Sequence, residues 1–140
     1  KRHFQLISHF LPTSTLAENY RALRTNFNFL AVEKEAKAVL VTSTYSGEGK
    51  TSVTANLAIT LAQSGHKVLL IDGDFRRPVI SRAFGIDQIP GFTDVILGNY
   101  EWQQVVRSVS DLMMGKMTID EVTQTPGLDN LYLITSGTKN

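Results

Sequence analysis

The spacing of apolar residues changes several times along the chain, and each spacing predicts a different element. From Thr15 onward, apolar side chains return every three or four residues, which predicts an amphipathic helix. Thr15 and Glu18 have the spacing of a capping box, which marks the start of this helix. The predicted apolar stripe consists of Leu16, Tyr20, Leu23, Phe27 and Leu30. Residues 1–14 lack this periodicity, and we expect a poorly ordered lead-in or a juxtamembrane segment there.

Short apolar runs without helical spacing predict strands that are buried on both faces of a parallel sheet. Three such runs span residues 38–42 (AVLVT), 68–71 (VLLI) and 131–135 (LYLIT). A helical pattern that ends at Ser64 separates the first two runs, and Gly65 supplies its stop. Pro78 and Gly85 bracket a shorter helix after the second run. This alternation predicts an α/β fold with a doubly wound, mostly parallel sheet.

Helical spacing returns between Gly91 and Asn130. A further apolar stripe is formed by Trp102, Val105, Val106, Val109, Leu112 and Met113. Thr118 and Glu121 have the spacing of a second capping box. We expect helical structure along this stripe, with Trp102 in the core.

The amino-acid composition of the chain excludes several classes of function. The 140 residues suit one domain, and the 42% hydrophobic content is enough for a packed core. A net charge of +1 argues against a nucleic-acid-binding protein that works by bulk charge. The sequence has no cysteine, so it forms no disulfide framework and no thiolate metal site. A cytoplasmic setting fits this composition, and no apolar run reaches the roughly 18 residues of a membrane span.

The segment after the first apolar run has the form of a phosphate-binding loop (P-loop). Glycines let such a loop curl its N–H groups toward phosphate oxygens, and the helix that follows adds its positive dipole end. In this pattern Lys50 reaches the β- and γ-phosphates and the Thr51 hydroxyl binds Mg²⁺. Thr44 stands where the usual first glycine would be. The nucleotide-contacting residues we predict are Ser46, Gly47, Glu48, Gly49, Lys50, Thr51 and Ser52. The alternative is an ordinary glycine-rich turn with a surface lysine.

A second polar motif, IDGDFRRP, follows the second predicted strand. Ligands of open parallel sheets bind at the carboxyl ends of the strands, so we expect Asp72 and Asp74 on the same edge as the P-loop. A carboxylate there can hold Mg²⁺ or accept a proton from an attacking hydroxyl. The alternative is a solvated turn, since Asp-Gly is a common turn pair.

Together these motifs resemble the bacterial tyrosine kinases (BY-kinases) that regulate capsule or exopolysaccharide synthesis and export. GEGKT resembles their Walker A motif, and LLIDGDFRRP resembles their second acidic motif. Glu18, Arg21 and Arg24 form the ExxRxxR pattern of that family, and GFTDVILGN resembles the segment after the acidic motif. Partition ATPases of related fold carry an extra lysine at the position of Tyr45, which favours the kinase family.

The resemblance implies an ATP- and Mg²⁺-dependent protein-tyrosine autokinase at the inner face of the cell membrane. It implies a membrane chain-length or adaptor protein as partner, fused or separate, and no nucleic acid. Lys50 and Arg76 would balance phosphate charge, Thr51 and Asp74 would serve Mg²⁺, and Asp72 would be the base. Asp72 and Asp74 could exchange these roles. The resemblance also implies that Glu18, Arg21 and Arg24, which lie off the predicted apolar stripe, mediate self-association. The alternative is that Glu18 caps the helix and the two arginines are solvated.

Two features of a complete kinase domain are missing from the sequence. A Walker B strand should end in an aspartate, and the LYLIT run is followed by Ser136. The four tyrosines are scattered instead of forming a C-terminal cluster. We therefore expect residues 15–140 to be the N-terminal part of a P-loop kinase domain, inactive by itself. The alternatives are a nucleotide-binding scaffold without catalysis and a partition-type ATPase.

Overall fold

The computed structural model describes residues 6, 8, 11–34, 37–110 and 127–139, without the side chains of residues 32–34. The chain divides into two units, residues 1–61 and residues 62–140. Each unit has its own local architecture.

The first unit contains helix α1 (Thr15–Lys34). The predicted helix start is confirmed, but the predicted capping box is wrong. Ser14 caps the helix one residue earlier, because its hydroxyl oxygen accepts the Ala17 N–H at 3.2 Å. The carboxylate of Glu18 contacts the guanidinium of Arg21 instead of turning back to the backbone.

The predicted apolar stripe of α1 is wrong for its leucines, while Tyr20 and Phe27 of the stripe are half-buried. Its three leucines are exposed, and Ala17 is the buried residue near the helix start. Arg21 and Arg24 lie on the half-buried face of the helix. Their long alkyl stems can cover apolar surface while the guanidinium groups reach polar partners, which the apolar periodicity alone does not reveal.

Helix α2 (Lys50–Gln63) follows the P-loop and anchors part of the lead-in. Leu6 and Ser8 are buried, and the Ser8 N–H donates a 2.8 Å hydrogen bond to Oδ1 of Asn56. The lead-in is therefore held against α2 at these two residues. A buried backbone N–H needs a partner, and the Asn56 side chain supplies it. Gly65, with φ of +93°, ends the helix as predicted.

Residues 37–43 do not form the predicted strand. Leu40 is 88% exposed, and Val39 is exposed beside it. A buried strand needs hydrogen-bonded neighbours on its edges as well as an apolar sequence. The sheet built from the described residues takes its three strands from elsewhere in the chain.

That sheet lies in the second unit and has the order β1-β3-β2. Its strands are β1 (Val68–Ile71), β2 (Arg107–Ser108) and β3 (Leu131–Ile134). Strand β1 pairs in parallel with β3, and β2 pairs antiparallel with it. The predictions of β1 and β3 are confirmed, while β2 makes the sheet mixed instead of mostly parallel. The buried apolar residues around it are Leu70, Ile80, Phe84, Val105, Val109, Leu128, Leu131, Leu133 and Ile134.

Short helices connect these strands. They are α3 (Ile80–Phe84), α4 (Phe92–Ile96), α5 (Trp102–Val105) and a 3₁₀ turn at Leu128–Asn130. Gly85 closes α3 in the left-handed conformation, as predicted, with φ of +66°. The helix begins at Ile80, two residues after the predicted Pro78.

The helical structure predicted along the Trp102 stripe is interrupted after one turn and resumes at residues 109–110. Val106 is extended, with ψ of 133°, and leads into β2. The ladder with β3 replaces the helical hydrogen bonds here, and Arg107 donates to the carbonyl oxygens of Asp87 and Pro90. Trp102 is 54% exposed, so its predicted place in the core is wrong. Leu112, Met113 and the second capping box at Thr118 and Glu121 lie outside the described residues.

Candidate functional site

The P-loop bends through residues 44–49 and enters α2 at Lys50. Gly47 and Gly49 have φ angles of +88° and +90°, in the left-handed region. A Cβ atom at either position would meet nothing within 4 Å. Glycine is therefore required here by the backbone angle and not by a lack of space.

Two hydrogen bonds shape this loop from within. The Tyr45 N–H donates to Oε2 of Glu48 at 3.0 Å, and the Ser43 hydroxyl donates to the Tyr45 carbonyl at 2.9 Å. The first turn of α2 contains no acidic residue, so no carboxylate there opposes an anion at the helix N-terminus. The loop and the helix start together form a site suited to an anion such as phosphate.

The predicted nucleotide-contacting residues form one continuous segment of loop and first helical turn. Lys50 and Thr51 are half-buried at the start of α2. The Lys50 carbonyl accepts the Thr54 hydroxyl at 2.7 Å, and the Ser52 carbonyl accepts the Asn56 amide at 2.9 Å. These contacts hold the backbone that carries both side chains.

Asp72 begins the acidic loop of the second unit, residues 72–77. Its N–H extends the ladder of β1 by donating to the Ile134 carbonyl at 2.9 Å. The side chain is only 5% exposed and accepts the N–H groups of Asp74 at 3.1 Å and Ile80 at 3.3 Å. Burial raises the pKa of the Asp72 carboxyl, and these backbone hydrogen bonds oppose the rise only in part. Asp72 thus closes its own loop and holds a proton more readily than an ordinary aspartate.

The remaining residues of the acidic loop are more open. Asp74 is half-buried, and its Oδ1 accepts the Arg77 N–H at 3.0 Å. Arg76 is exposed. The ring of Phe75 stacks on that of Phe92, with centroids 6.0 Å apart and planes at 29°. The loop is therefore held at three points: at Asp72, at Asp74 and through the ring of Phe75.

Sequence reasoning missed Asp94, which fastens α4 to the segment after β3. This buried carboxylate accepts hydrogen bonds from the Gly91 N–H at 2.8 Å, the Thr138 N–H at 3.1 Å and the Thr138 hydroxyl at 2.6 Å. The Thr138 hydroxyl contributes most to lowering the pKa of Asp94. The only local signal was an acidic residue in the first turn of a helix.

Backbone contacts complete the same junction. The Phe92 and Thr93 N–H groups donate to the carbonyls of Thr135 at 2.8 Å and Ser136 at 3.0 Å. A Cβ atom on Gly91 would stand 2.4 Å from the Gly137 nitrogen, so these two segments of the chain can approach this closely only because residue 91 is glycine. Since the junction fixes Phe92, it also fixes the ring against which Phe75 of the acidic loop packs.

Comparison with known proteins decides the family. Residues 39–130 match the model of the CobQ/CobB/MinD/ParA nucleotide-binding domain. The chain belongs to this family. The match includes the P-loop, so the alternative interpretation of that motif as an ordinary glycine-rich turn is set aside.

The relatives of this nucleotide-binding domain include tyrosine kinases. Tyrosine-protein kinase YwqD of Bacillus subtilis is 38% identical over 115 residues, which are 82% of this chain and 48% of that protein. The kinase domain of the Escherichia coli tyrosine kinase ETK superposes with a TM-score of 0.79 at 27% identity, over 100% of this chain and 49% of that one. The BceF tyrosine kinase domain gives 0.77 at 29% identity, over 97% and 47%. The chain thus spans about half the length of these proteins.

The residues predicted to mediate self-association have partners within the first unit of this domain. Arg21 contacts the Glu18 carboxylate and the Pro12 carbonyl. Arg24 donates to the Thr60 carbonyl at 3.1 Å. The expectation that both arginines stand clear of the packed face is therefore wrong. A role in self-association would have to use these side chains in addition to, or instead of, their present contacts.

Among the described residues, no group of three or more histidine, aspartate or glutamate side chains has the geometry of a metal site. None of the described helices has the length and apolar character that crossing a membrane requires.

Proposed function

We propose that this chain is the nucleotide-binding part of an ATP-dependent protein-tyrosine kinase that regulates capsular or exopolysaccharide synthesis. The observation that carries the proposal is the P-loop, in which two glycines with left-handed backbone angles lead directly into the N-terminus of α2, whose first turn has no acidic residue. Its membership of a nucleotide-binding family and its tyrosine-kinase relatives support the choice of activity.

In this proposal the P-loop binds the phosphates of ATP. Backbone N–H groups of residues 46–52 donate to phosphate oxygens, and the Lys50 ammonium neutralises charge that builds up on the transferred phosphoryl group. The exposed guanidinium of Arg76 supplies a second positive charge. The side chain of Glu48 acts indirectly, because its carboxylate holds the Tyr45 N–H and so shapes the loop.

The donor set suits Mg²⁺. The Thr51 hydroxyl and the Asp74 carboxylate supply oxygen atoms, which this hard cation prefers, and neither residue is fully buried. Nucleotide-bound Mg²⁺ usually takes only one or two protein ligands, with phosphate and water completing the shell. The finding that no described cluster of three acidic or histidine side chains could hold a metal is compatible with that mode. When bound, the ion supplies charge neutralisation at the phosphates.

We assign the general base to Asp72 in preference to Asp74. Burial raises the pKa of Asp72, and a carboxylate with a raised pKa takes a proton from a tyrosine hydroxyl more effectively. Its two backbone hydrogen bonds fix the carboxylate before substrate binds. Asp74 then serves the metal ion.

The proposed partners follow from the same kinase class. They are a membrane chain-length or adaptor protein, fused or separate, and further copies of the chain that associate through Glu18, Arg21 and Arg24. The proposed location is the inner face of the cell membrane. The net charge of +1 gives no support for a nucleic-acid partner.

Calorimetry with Mg-ADP and Mg-ATP tests the nucleotide site. Lys50→Ala should weaken binding by about ten- to a hundredfold, the scale of losing one hydrogen bond to a charged group. Lys67→Ala is the matched control, because Lys67 is exposed and lies outside the P-loop. Equal affinities of the two variants would contradict the assignment of Lys50.

Incubation of the full-length protein with Mg-ATP tests the activity. Phosphotyrosine on the protein supports the kinase. Release of phosphate without labelling would indicate an ATPase instead, and binding without turnover would indicate a nucleotide-dependent scaffold.

A further inference from the structure

The four tyrosines of the chain differ in how accessible their rings are. Tyr45 is 74% exposed and Tyr100 is 42% exposed. Tyr20 and Tyr132 are half-buried, and burial raises the pKa of the Tyr20 hydroxyl. Tyr132 also lies in β3, between two hydrogen-bonded neighbours, so its backbone cannot leave the sheet without breaking the ladder. Tyr45 is the tyrosine that another protein can reach most easily.

The backbone of Tyr45 is fixed although its ring is exposed. Its N–H is held by the Glu48 carboxylate and its carbonyl by the Ser43 hydroxyl. A side chain on such a loop is presented in a defined position, so a second active site can receive it with a small loss of conformational entropy. Tyr45 lies inside the P-loop, two residues before Gly47.

We propose that Tyr45 is an autophosphorylation site whose phosphate lowers the affinity of the same chain for nucleotide. This inference rests on the proposed kinase function. It makes the P-loop the target of the reaction as well as the place where ATP binds. Once neighbouring copies have completed one or a few turnovers, phosphate on Tyr45 would limit the further activity of the modified kinase.

The transfer runs between two copies of the chain. The phenolic oxygen of Tyr45 attacks the γ-phosphorus of ATP bound to a second copy. The bond from that phosphorus to the β–γ bridging oxygen breaks, ADP leaves, and the phenolic proton passes to the Asp72 carboxylate of the second copy. Attacking and leaving oxygens must lie roughly in line. A P-loop surrounds the leaving side of its own nucleotide, so Tyr45 is on the wrong side to attack the ATP held by its own loop.

The effect on affinity is electrostatic. A phosphotyrosine carries about −1.5 to −2 charges at neutral pH. Tyr45 stands only two residues before Gly47 in the same loop, and the Debye length at physiological ionic strength is about 8 Å, so charges within this loop are incompletely screened. The Glu48 carboxylate beside the Tyr45 backbone adds like charge to the same region. The modified loop therefore opposes the anion that the unmodified loop attracts.

Mass spectrometry of the full-length protein after incubation with Mg-ATP tests the site. We expect phosphate on Tyr45 at the earliest times and several-fold more of it than on Tyr100. Tyr45→Phe should remove this early label, whereas Tyr100→Phe, the matched control, should retain it. Label on other tyrosines with none on Tyr45 would overturn this inference and leave the kinase proposal standing. A protein without phosphotyrosine anywhere would overturn both.

A mixing experiment tests the direction of transfer. A Lys50→Ala chain, which lacks the P-loop lysine, should acquire phosphate on Tyr45 when mixed with the unmodified active protein. Label that appears on Tyr45 of the active copy alone would show transfer within one chain and would contradict the proposal.

Calorimetry tests the consequence. The protein phosphorylated on Tyr45 should bind Mg-ADP about tenfold more weakly than the same sample after phosphatase treatment. The difference should increase at low ionic strength and vanish in Tyr45→Phe. Equal affinities before and after phosphatase treatment would overturn the inhibitory role.

Discussion

Arg24 of α1 donates a 3.1 Å hydrogen bond to the carbonyl oxygen of Thr60, in the last turn of the helix that follows the P-loop. The last four carbonyls of a helix lack partners within it, and the helix end carries partial negative charge. A guanidinium at this point satisfies one carbonyl and complements the dipole. Arg24 therefore stabilises α2 at the end opposite to the P-loop.

Arg24→Gln should lower the free energy of unfolding by about 0.3–1 kcal/mol, the range for a cation at a helix C-terminus. Urea denaturation of the purified chain measures this change. Arg21→Gln is the comparison, because the exposed Glu18 carboxylate limits the value of that ion pair. A smaller loss for Arg24→Gln than for Arg21→Gln would contradict the capping role.

Replacing Arg21 and Arg24 together by alanine should dissolve an oligomer of the full-length protein. Single exposed ion pairs contribute only about 0–1 kcal/mol, but a closed assembly repeats its contact at every boundary. Light scattering measures the mass, with the melting temperature recorded alongside, since both arginines also have partners within the chain. Unchanged mass of the double variant would contradict the proposed interface. A folded monomer is the result that supports it.

Asp72→Asn should reduce tyrosine phosphorylation by about a hundredfold or more, the scale of losing a positioned base. The unmodified enzyme should also lose activity with falling pH through the raised pKa of Asp72, because only the ionised carboxylate accepts a proton. This acid limb should therefore lie at higher pH than for an ordinary aspartate. Asp74→Asn is the companion variant and should instead raise the Mg²⁺ concentration needed for activity. A drop of only a few-fold for Asp72→Asn would rule out this residue as the base.

Asp94→Asn should destabilise the fold by about 1–3 kcal/mol at pH 7, since a buried charged acceptor is replaced by a neutral amide. The pKa of Asp94 is lowered in the folded state, so its contribution is fully present above the unfolded pKa of about 3.9. It is lost as the pH falls through the lower, folded pKa. The gap between unmodified protein and variant should therefore close in acid. Asp129→Asn, at an exposed position, should show no such gap.

The elements that could be predicted from sequence are those with local causes. Val68–Ile71 and Leu131–Ile134 are continuous apolar runs between turn residues, and both form strands. Gly65 and Gly85 end helices because their own backbone angles allow it. These signals depend on residues that are nearby in sequence, so distant parts of the chain do not alter them.

The wrong predictions fall where the structure of a segment depends on residues that are distant in sequence. The apolar run at 38–42 looked like a strand, but an apolar sequence cannot specify whether a ladder partner is present. Arg107 and Ser108 form a strand only because Leu133 and Tyr132 lie opposite them. Asp94 gave little signal because Thr138, which donates two hydrogen bonds to it, is 44 residues away.

The candidate site also contains features that could be predicted from sequence and features that could not. The P-loop could be located because its glycine angles and helix start are encoded within a few residues. The motif identifies Tyr45 and Glu48 only as positions in that loop, whereas the hydrogen bond between them is a property of the folded loop. Arg24 was expected to face outward, because periodicity counts an arginine as polar and ignores its apolar stem.

The close approach of Gly91 to Gly137 limits the substitutions that this sequence can accept in evolution. Every substitution at residue 91 introduces a Cβ atom that collides with backbone, and backbone cannot rotate aside as a side chain does. Residue 137 is restricted as well, since its φ of +89° already disfavours any other residue. In a saturation library selected for folded protein, these two positions should be nearly invariant. Neighbouring exposed positions such as Ile89 should accept many residues. Intolerance to substitution at residues 91 and 137 would then indicate a close backbone contact between two connecting segments and not a catalytic or binding role.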